Sequence, residues 1–140
     1  MFLPLAMAVA AGGTFVSRGW SGDIEHLTWL IKEALGHRGY SLVDVLQPCV
    51  TFNRKYSYDW LRPRVYKVQD DPAYNPGDKT AAFVRSQEWG DKIPIGILYR
   101  TEDEPAYEEQ VPALAAGPLV KQPLRSRPAK DYESLKMEYV

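Results

Sequence analysis

Hydrophobic positions in the first fifty residues follow two periods, one typical of strands and one of helices. The β-branched and aromatic run Thr14–Arg18 predicts a short strand. The near-continuous apolar run within Tyr40–Gln47 predicts a second strand, which we expect to be buried. Between them, apolar residues recur at helical spacing: Ile24, Leu27, Leu30, Ile31, Ala34 and Leu35. Strand, helix and strand of this length indicate a βαβ unit with parallel strands.

The polar residues around this helix carry further expectations. The turn that begins at Gly19 and Trp20 offers Ser21 or Asp23 as the helix N-cap. The helix is expected to end near Gly36 or Gly39. The side chains of His26 and Lys32 lie off the apolar stripe, and we expect water around both. Before the first strand, an apolar segment from Pro4 to Gly12-Gly13 predicts a helix that packs on the sheet. A signal-peptide core is the alternative, disfavoured because no basic residue precedes Arg18.

The second half of the chain is rich in proline and is expected to be rich in loops. Arg64–Val68 predicts an edge strand or extended segment, and Asp78 is expected to cap a helix that runs through Trp89. Ile93–Tyr99 predicts another strand, in which Pro94 requires either an edge position or Ile93 as the first residue. A short helix is expected around Tyr107–Ala116. These elements predict an α/β fold with a mostly parallel but incomplete sheet over residues 1–120, followed by an extended tail over residues 121–140.

Composition narrows the functional classes. The 17 basic and 18 acidic residues give a net charge of −1, which offers no electrostatic reason to expect nucleic acid as a partner. A single cysteine forms no internal disulfide, so a reducing, cytoplasmic location is the natural expectation. No stretch approaches the roughly 20 apolar residues that a membrane span requires.

The candidate chemistry centres on Cys49, which follows the second predicted strand. Ligand sites of open α/β sheets lie at the carboxyl ends of strands, although a lone cysteine is more often a small buried hydrophobe. One thiol is not a complete metal site, and neither histidine stands near it in the pattern. Gly22-Asp23 with Asn53 mimics the Asp and Asn spacing of a thiamine diphosphate Mg²⁺ site, but a helix cap explains Asp23 more simply. No catalytic or cofactor-binding residue is assigned.

A segment that mixes aromatic and basic residues follows Cys49. It contains Arg54, Lys55, Tyr56, Tyr58, Trp60, Arg62 and Arg64. Such a mixture suits a nucleic-acid surface or a subunit interface, where Trp, Tyr and Arg are enriched. The nearly neutral overall charge favours the interface.

Three blocks of sequence together resemble a known family. They are residues 5–22 (LAMAVAAGGTFVSRGWSG), 42–54 (LVDVLQPCVTFNR) and 88–100 (EWGDKIPIGILYR). In this order they look like the C-terminal half of the beta subunit of 2-oxoacid:ferredoxin oxidoreductases of the pyruvate and 2-oxoglutarate type. The resemblance runs from about Leu3 to about Gln122, and the block around Cys49 is its most specific part.

The resemblance implies a partial thiamine-diphosphate-binding fold. The reaction it implies is the coenzyme-A-dependent oxidative decarboxylation of a 2-oxoacid, with thiamine diphosphate, Mg²⁺ and a [4Fe-4S] cluster that passes electrons to ferredoxin. Cys49 matches the late cysteine among the cluster ligands, and it is the one metal ligand that the resemblance assigns. The family's early cysteines and its Gly-Asp-Gly…Asn motif do not occur in these 140 residues, so the chain is expected to be inactive alone.

The partners implied are an alpha subunit, an N-terminal half of the beta subunit and ferredoxin, with a 2-oxoacid and coenzyme A as substrates. Nucleic acid and a membrane span are not expected. Two further hypotheses stay open from the residues alone. The chain could be a non-catalytic module that docks partner subunits, or a decayed gene fragment whose half sheet folds poorly.

Overall fold

The computed structural model describes residues 3–122 together with Glu133, Lys136 and Met137. Contacts divide the chain into two units, Met1–Tyr107 and Glu108–Val140. The first unit carries the sheet and its helices. The predicted boundary between residues 120 and 121 stays a prediction, and most of the predicted tail lies outside the described residues. Among the described residues, no helix combines the length and the apolar character needed to cross a bilayer.

The first unit is built on a mixed sheet of four strands in the order β2-β1-β4-β3. The strands are β1 (Phe15–Trp20), β2 (Ser41–Leu46), β3 (Val65–Lys67) and β4 (Ile93–Arg100). The pairs β1–β2 and β3–β4 are parallel, and β1–β4 is antiparallel. The predicted α/β class with mostly parallel pairing is therefore confirmed, and the fourth strand is the edge strand β3, which lies in the segment Arg64–Val68 predicted as an edge strand or extended segment.

A register irregularity between Val16 and Ser17 marks the antiparallel pairing of β1 with β4. On the opposing strand, Gly96 has φ +121°, a conformation that side chains with a Cβ rarely adopt. The side chain of Gln69 takes the place of a strand partner there. Its Nε2 donates to the Ile97 carbonyl at 2.9 Å, and its Oε1 accepts from the Ile97 amide at 3.3 Å. The Gln69 side chain thus satisfies both backbone groups of Ile97, the residue paired with Ser17 at the irregularity.

Four helices accompany the sheet: α1 (Pro4–Ala10), α2 (Ile24–Gly36), α3 (Tyr58–Leu61) and α4 (Lys79–Arg85). The predicted α1 is confirmed, and it buries Leu5 and Val9 against the sheet. The Asp78 carboxylate caps α4 as predicted, by accepting from the amides of Thr80 and Ala81. The extension of α4 to Trp89 is wrong, because turns follow Arg85. The predicted helix around Tyr107–Ala116 is instead a pair of single 3₁₀ turns.

The strand β1 is buried over its whole length and divides the core. Neighbouring residues of a strand point to opposite faces, so Phe15 and Val16 belong to different clusters. Phe15 packs with Leu30 of α2 and with Ile97. On the other face, Val16 joins Leu5, Val9, Val68, Ala82, Leu98 and Tyr99. Farther along that face, Trp20 packs with Leu61, Ile93 and Ile95. The assignment of Gly19 and Trp20 to a turn is therefore wrong, since both end this strand.

Helix α2 begins as predicted and packs differently. The Asp23 carboxylate accepts from the His26 amide at 3.0 Å, which confirms the cap. His26 was expected to be solvated, but its side chain is buried and stacks on Trp29. Conversely, the apolar residues Ile24, Ile31 and Leu35 are 65%, 42% and 82% exposed. They recur seven and four residues apart, which places them on one face of the helix, and we call them the α2 stripe.

The strand β2 lies at the edge of the sheet and is only half-buried. The expectation that it would be buried is therefore wrong, because the edge has no neighbouring strand beside it among the described residues. The side chain of Val45 in this strand is 40% exposed, so apolar surface is open to solvent on β2 as well as on α2. An exposed apolar helix face and an open strand edge are each typical of a surface that another element covers.

Candidate functional site

Cys49 lies where the sequence places it, three residues beyond the carboxyl end of β2. Gln47 and Pro48 carry the chain away from the sheet edge, because a proline supplies no amide hydrogen to continue the ladder. The interpretation of Cys49 as a buried core residue is wrong, since its side chain is exposed. An exposed thiol at a strand end is available to a ligand or a partner.

The backbone after Cys49 folds into a turn that points amides at its sulfur. The Asn53 amide donates to the Cys49 carbonyl at 3.2 Å and closes the turn. The Phe52 amide donates to the Cys49 Sγ at 3.4 Å. This amide, followed by those of Thr51 and Asn53, lowers the pKa of the Cys49 thiol below its ordinary value, because each favours the negative charge on sulfur. The thiolate is the form that ligates metals.

This cysteine turn fits one corner of an iron–sulfur cluster and does not fit the whole cluster. A [4Fe-4S] cluster takes about four thiolate ligands, and amide hydrogen bonds to sulfur are among the contacts that tune its potential. Among the described residues, no three His, Cys, Asp or Glu side chains come close enough together to hold a metal ion. The described residues therefore offer one candidate thiolate, Cys49, and a cluster at this turn would need its other ligands from elsewhere.

The Asp23 and Asn53 side chains are both engaged in local structure. Asp23 caps α2, and its Oδ2 lies 2.9 Å from the Nζ of Lys67. The Lys67 hydrogen bond, with the His26 amide next, lowers the pKa of Asp23. The Asn53 Oδ1 accepts from the amides of Lys55 and Tyr56. These contacts agree with the cap interpretation of Asp23, and neither side chain is free to hold a thiamine diphosphate metal ion.

The two histidines take structural positions. The Nε2 of His37 lies 2.9 Å from the Oγ1 of Thr14, and burial lowers the pKa of the His37 ring. Burial also lowers the pKa of His26, whose ring nitrogens have no hydrogen-bond partner in the described part of the molecule. Neither ring has a described contact with Cys49, so the described residues offer no Cys-His pair for nucleophilic catalysis.

The aromatic and basic segment after the cysteine turn forms one cluster with residues from other elements. Tyr56, Trp60 and Trp89 contact one another with ring centroids 4.8, 6.0 and 6.3 Å apart. The guanidinium of Arg64 lies 4.4 Å above Trp60, and that of Arg18 lies 5.7 Å from Trp89. Sequence reasoning found the segment itself but missed Arg18 and Trp89, because no local pattern links a central strand to a distant loop.

The helix α3 was also missed within this segment. Its N-cap is Ser57, whose Oγ accepts from the Trp60 amide at 3.2 Å. Asp59 follows in the first turn, where a negative charge favours helix formation. Ser57 and Asp59 were the only local signals for this helix. Its four residues are too few to show a helical period of apolar positions.

These features define a class of protein: a mixed α/β domain that presents an exposed cysteine turn and an aromatic–basic cluster beyond an edge strand. The family model for the C-terminal part of the pyruvate ferredoxin oxidoreductase beta subunit matches residues 49–116, a range that begins at Cys49. A 2-oxoacid:ferredoxin oxidoreductase subunit beta from Sulfolobus sp is 44% identical over 119 residues. That match covers 79% of this chain and 39% of the relative.

A second relative and a solved structure extend the match along the chain. The corresponding beta subunit from Saccharolobus solfataricus is 36% identical, over 96% of this chain and 49% of its own length. The 2-oxoglutarate:ferredoxin oxidoreductase from Magnetococcus marinus, solved with 2-oxoglutarate, coenzyme A and succinyl-CoA bound, has a TM-score of 0.71. It is 24% identical, with 96% of this chain and 44% of that chain covered, and it shows the shared fold.

The chain is a relative of the beta subunits of 2-oxoacid:ferredoxin oxidoreductases and matches the C-terminal part of such a subunit. The resemblance noted from the three sequence blocks is thereby confirmed. The chain spans less than half the length of the curated relatives that it matches, 39% of the Sulfolobus subunit and 49% of the Saccharolobus one.

Proposed function

We propose that the chain forms the C-terminal part of an oxidoreductase beta subunit that takes part in the oxidative decarboxylation of a 2-oxoacid. In this reaction the 2-oxoacid and the coenzyme A thiol give an acyl thioester, CO₂ and a proton, and two electrons pass to two molecules of oxidised ferredoxin. The observation that carries the proposal is the 44% identity to the Sulfolobus beta subunit over most of the chain. A reducing compartment such as the cytoplasm suits a subunit that relies on a free thiol.

Within this function we assign Cys49 as one thiolate ligand of a [4Fe-4S] cluster. Its exposure at a strand end and the amide aimed at its sulfur support the assignment. When bound, the cluster supplies one-electron transfer. Thiamine diphosphate and its Mg²⁺ would be held by residues outside the described part of the chain, because the Asp23 side chain caps α2 and the Asn53 side chain is engaged in a local turn. The chain's own contribution is thus one ligand and the surfaces beside it.

The partner that completes this site is, in our proposal, an N-terminal segment of the same kind of beta subunit. Relatives of about twice this length provide the reason to expect one. The open edge of β2 and the α2 stripe support the proposal, because an unpaired strand edge and exposed apolar side chains are both typical of surfaces that another element covers. An alpha subunit would join the same assembly.

Reconstitution tests the proposed function directly. The chain is co-produced with the N-terminal half of the Sulfolobus beta subunit and the corresponding alpha subunit, and the purified complex is assayed with a viologen dye. We expect dye reduction that requires both coenzyme A and a 2-oxoacid, with pyruvate and 2-oxoglutarate as the first substrates offered. A complex that assembles with a full cluster but reduces no dye with either acid would contradict the proposal. It would favour the non-catalytic interaction module.

The α2 stripe gives an assembly prediction. We expect Ile24→Glu combined with Leu35→Lys to abolish co-purification of the chain with the N-terminal half, because charges would replace apolar contacts. The new charges suit the two ends of the helix dipole, so the unfolding free energy of the isolated chain should change by only about 0.5 kcal/mol. Pull-down and chemical denaturation measure the two effects.

The matched control for the α2 stripe lies on the same helix. Glu25 and Lys32 are exposed polar residues beside the stripe, and Glu25→Gln combined with Lys32→Gln should leave co-purification unchanged. Co-purification of the stripe variant at the level of the unaltered chain would show that this face is not the assembly surface.

A further inference from the structure

Positive charge is concentrated next to the cysteine turn. Residues 49–64 contain one carboxylate, that of Asp59, and four basic side chains, although the whole chain has a net charge of −1. The basic side chains are Arg54, Lys55, Arg62 and Arg64, and we call them the basic patch. Among the described residues, none of the four forms an ion pair with a carboxylate. Arg54, Lys55 and Arg62 are also exposed, so their charge is uncompensated and open to a partner.

Cations of the basic patch already lie over two of the neighbouring aromatic rings. Arg64 stacks on Trp60 at 4.4 Å and donates to the Trp60 carbonyl at 2.7 Å, which fixes its position. Lys55 lies 5.2 Å from the ring of Tyr56. The rings also contact each other edge to face, at 73° for Tyr56 and Trp60. Single-stranded nucleic acids bind by stacking bases on free ring faces, and cations already lie over the rings of Tyr56 and Trp60.

Two exposed apolar side chains complete the surface. Val50 and Phe52 belong to the cysteine turn and are 77% and 91% exposed. Exposed apolar side chains together with unpaired arginines are typical of protein-binding surfaces. On such surfaces, aromatic residues and arginine provide much of the binding free energy. The charge specifies the chemistry of the partner, because an acidic surface is attracted to the patch and a basic one is repelled.

We infer that the basic patch, together with Phe52, docks the acidic face of the redox protein that accepts the electrons. This inference rests on the proposed function, in which that acceptor is a ferredoxin. The patch orients the carrier next to the cysteine turn, and its charge raises the rate of encounter.

The test measures ferredoxin affinity of the reconstituted complex by isothermal titration calorimetry with an oxidised ferredoxin of net negative charge. For the unaltered complex, we expect the affinity to fall as NaCl is raised, because salt screens exposed charges. Arg54→Glu combined with Lys55→Glu should raise the dissociation constant at low salt by at least about tenfold. Phe52→Ser should weaken binding without changing its salt dependence.

The control reverses the same number of exposed charges on other elements of the first unit. Lys32→Glu on α2 combined with Lys79→Glu on α4 should keep the dissociation constant within about twofold of the unaltered complex. An equal dissociation constant for the patch variant and this control would overturn the inference. Loss of subunit assembly in the patch variant would also overturn it, because the patch would then be buried between subunits.

Two further measurements separate the alternatives. Tighter binding of a single-stranded DNA 16-mer than of ferredoxin would overturn the inference in favour of a nucleic-acid surface. Dye reduction by the unaltered complex tests the proposed function independently, because a small dye needs no protein docking surface. An active complex with salt-independent ferredoxin affinity would therefore contradict the docking inference alone.

Discussion

Cys49→Ser is expected to remove the proposed [4Fe-4S] cluster from the assembled beta subunit. Serine preserves the shape of the side chain but replaces a soft thiolate with a hard oxygen, which is a poor ligand for cluster iron. The amides of the turn would then face a hydroxyl group that has no reason to ionise at neutral pH. Iron and acid-labile sulfide per subunit, together with the electron paramagnetic resonance spectrum of the reduced complex, measure the loss.

The same turn provides the control for this substitution. Thr51 is exposed and contributes its backbone amide near the sulfur, so Thr51→Ala should keep the cluster. Because Cys49 is exposed, Cys49→Ser should change the unfolding free energy of the isolated chain by only about 0.5 kcal/mol. Unchanged iron and sulfide content in Cys49→Ser would show that Cys49 is not a cluster ligand.

The elements that sequence patterns predicted well are those with a local cause. The helix caps at Asp23 and Asp78 each depend on one carboxylate and the backbone amides two or three residues later. A few consecutive residues are therefore enough to predict each cap. The parallel pairing of β1 and β2 follows in the same way from the helix that connects them. Pro94 fits a central strand because Ile93 is its first residue, one of the two arrangements that the sequence allowed.

The misjudged features depend on what packs beside an element. The apolar period of α2 is real, but the period does not reveal which apolar residues meet the sheet and which remain exposed. Leu30 is fully buried, whereas Leu35 on the same helix is 82% exposed. His26 is buried and stacks on Trp29, whereas hydropathy alone assigns histidine to the surface.

The candidate site likewise has predictable and unpredictable features. Its position at Cys49 was predicted from the strand that precedes it, but the thiol was expected to be buried more often than not. Its exposure follows from the edge position of β2, which depends on the order of strands in the whole sheet. The Phe52 amide lies 3.4 Å from the sulfur because of the turn conformation. That conformation could not be predicted from residues 49–52, which contain no glycine.

The ion pair between Arg18 and Asp44 carries the largest stability prediction. The Nε of Arg18 donates to the Oδ2 of Asp44 at 2.9 Å across β1 and β2, with side chains 5% and 26% exposed. The Arg18 Nη1 is already buried without a described partner. Asp44→Ala would leave the guanidinium charge buried and unpaired, which costs about 3–5 kcal/mol for fully buried pairs. The partial exposure of Asp44 places the expected loss near about 3 kcal/mol.

A double substitution distinguishes the unpaired charge from the loss of the carboxylate itself. Arg18→Met combined with Asp44→Ala should recover most of the stability, because a thioether packs well against the ring of Trp89 that Arg18 now covers. Asp91→Ala removes an exposed carboxylate and should change the unfolding free energy by only about 0.5 kcal/mol. Urea denaturation of the isolated chain measures all three, and a double variant no more stable than Asp44→Ala would mean that packing, rather than charge, determines the loss.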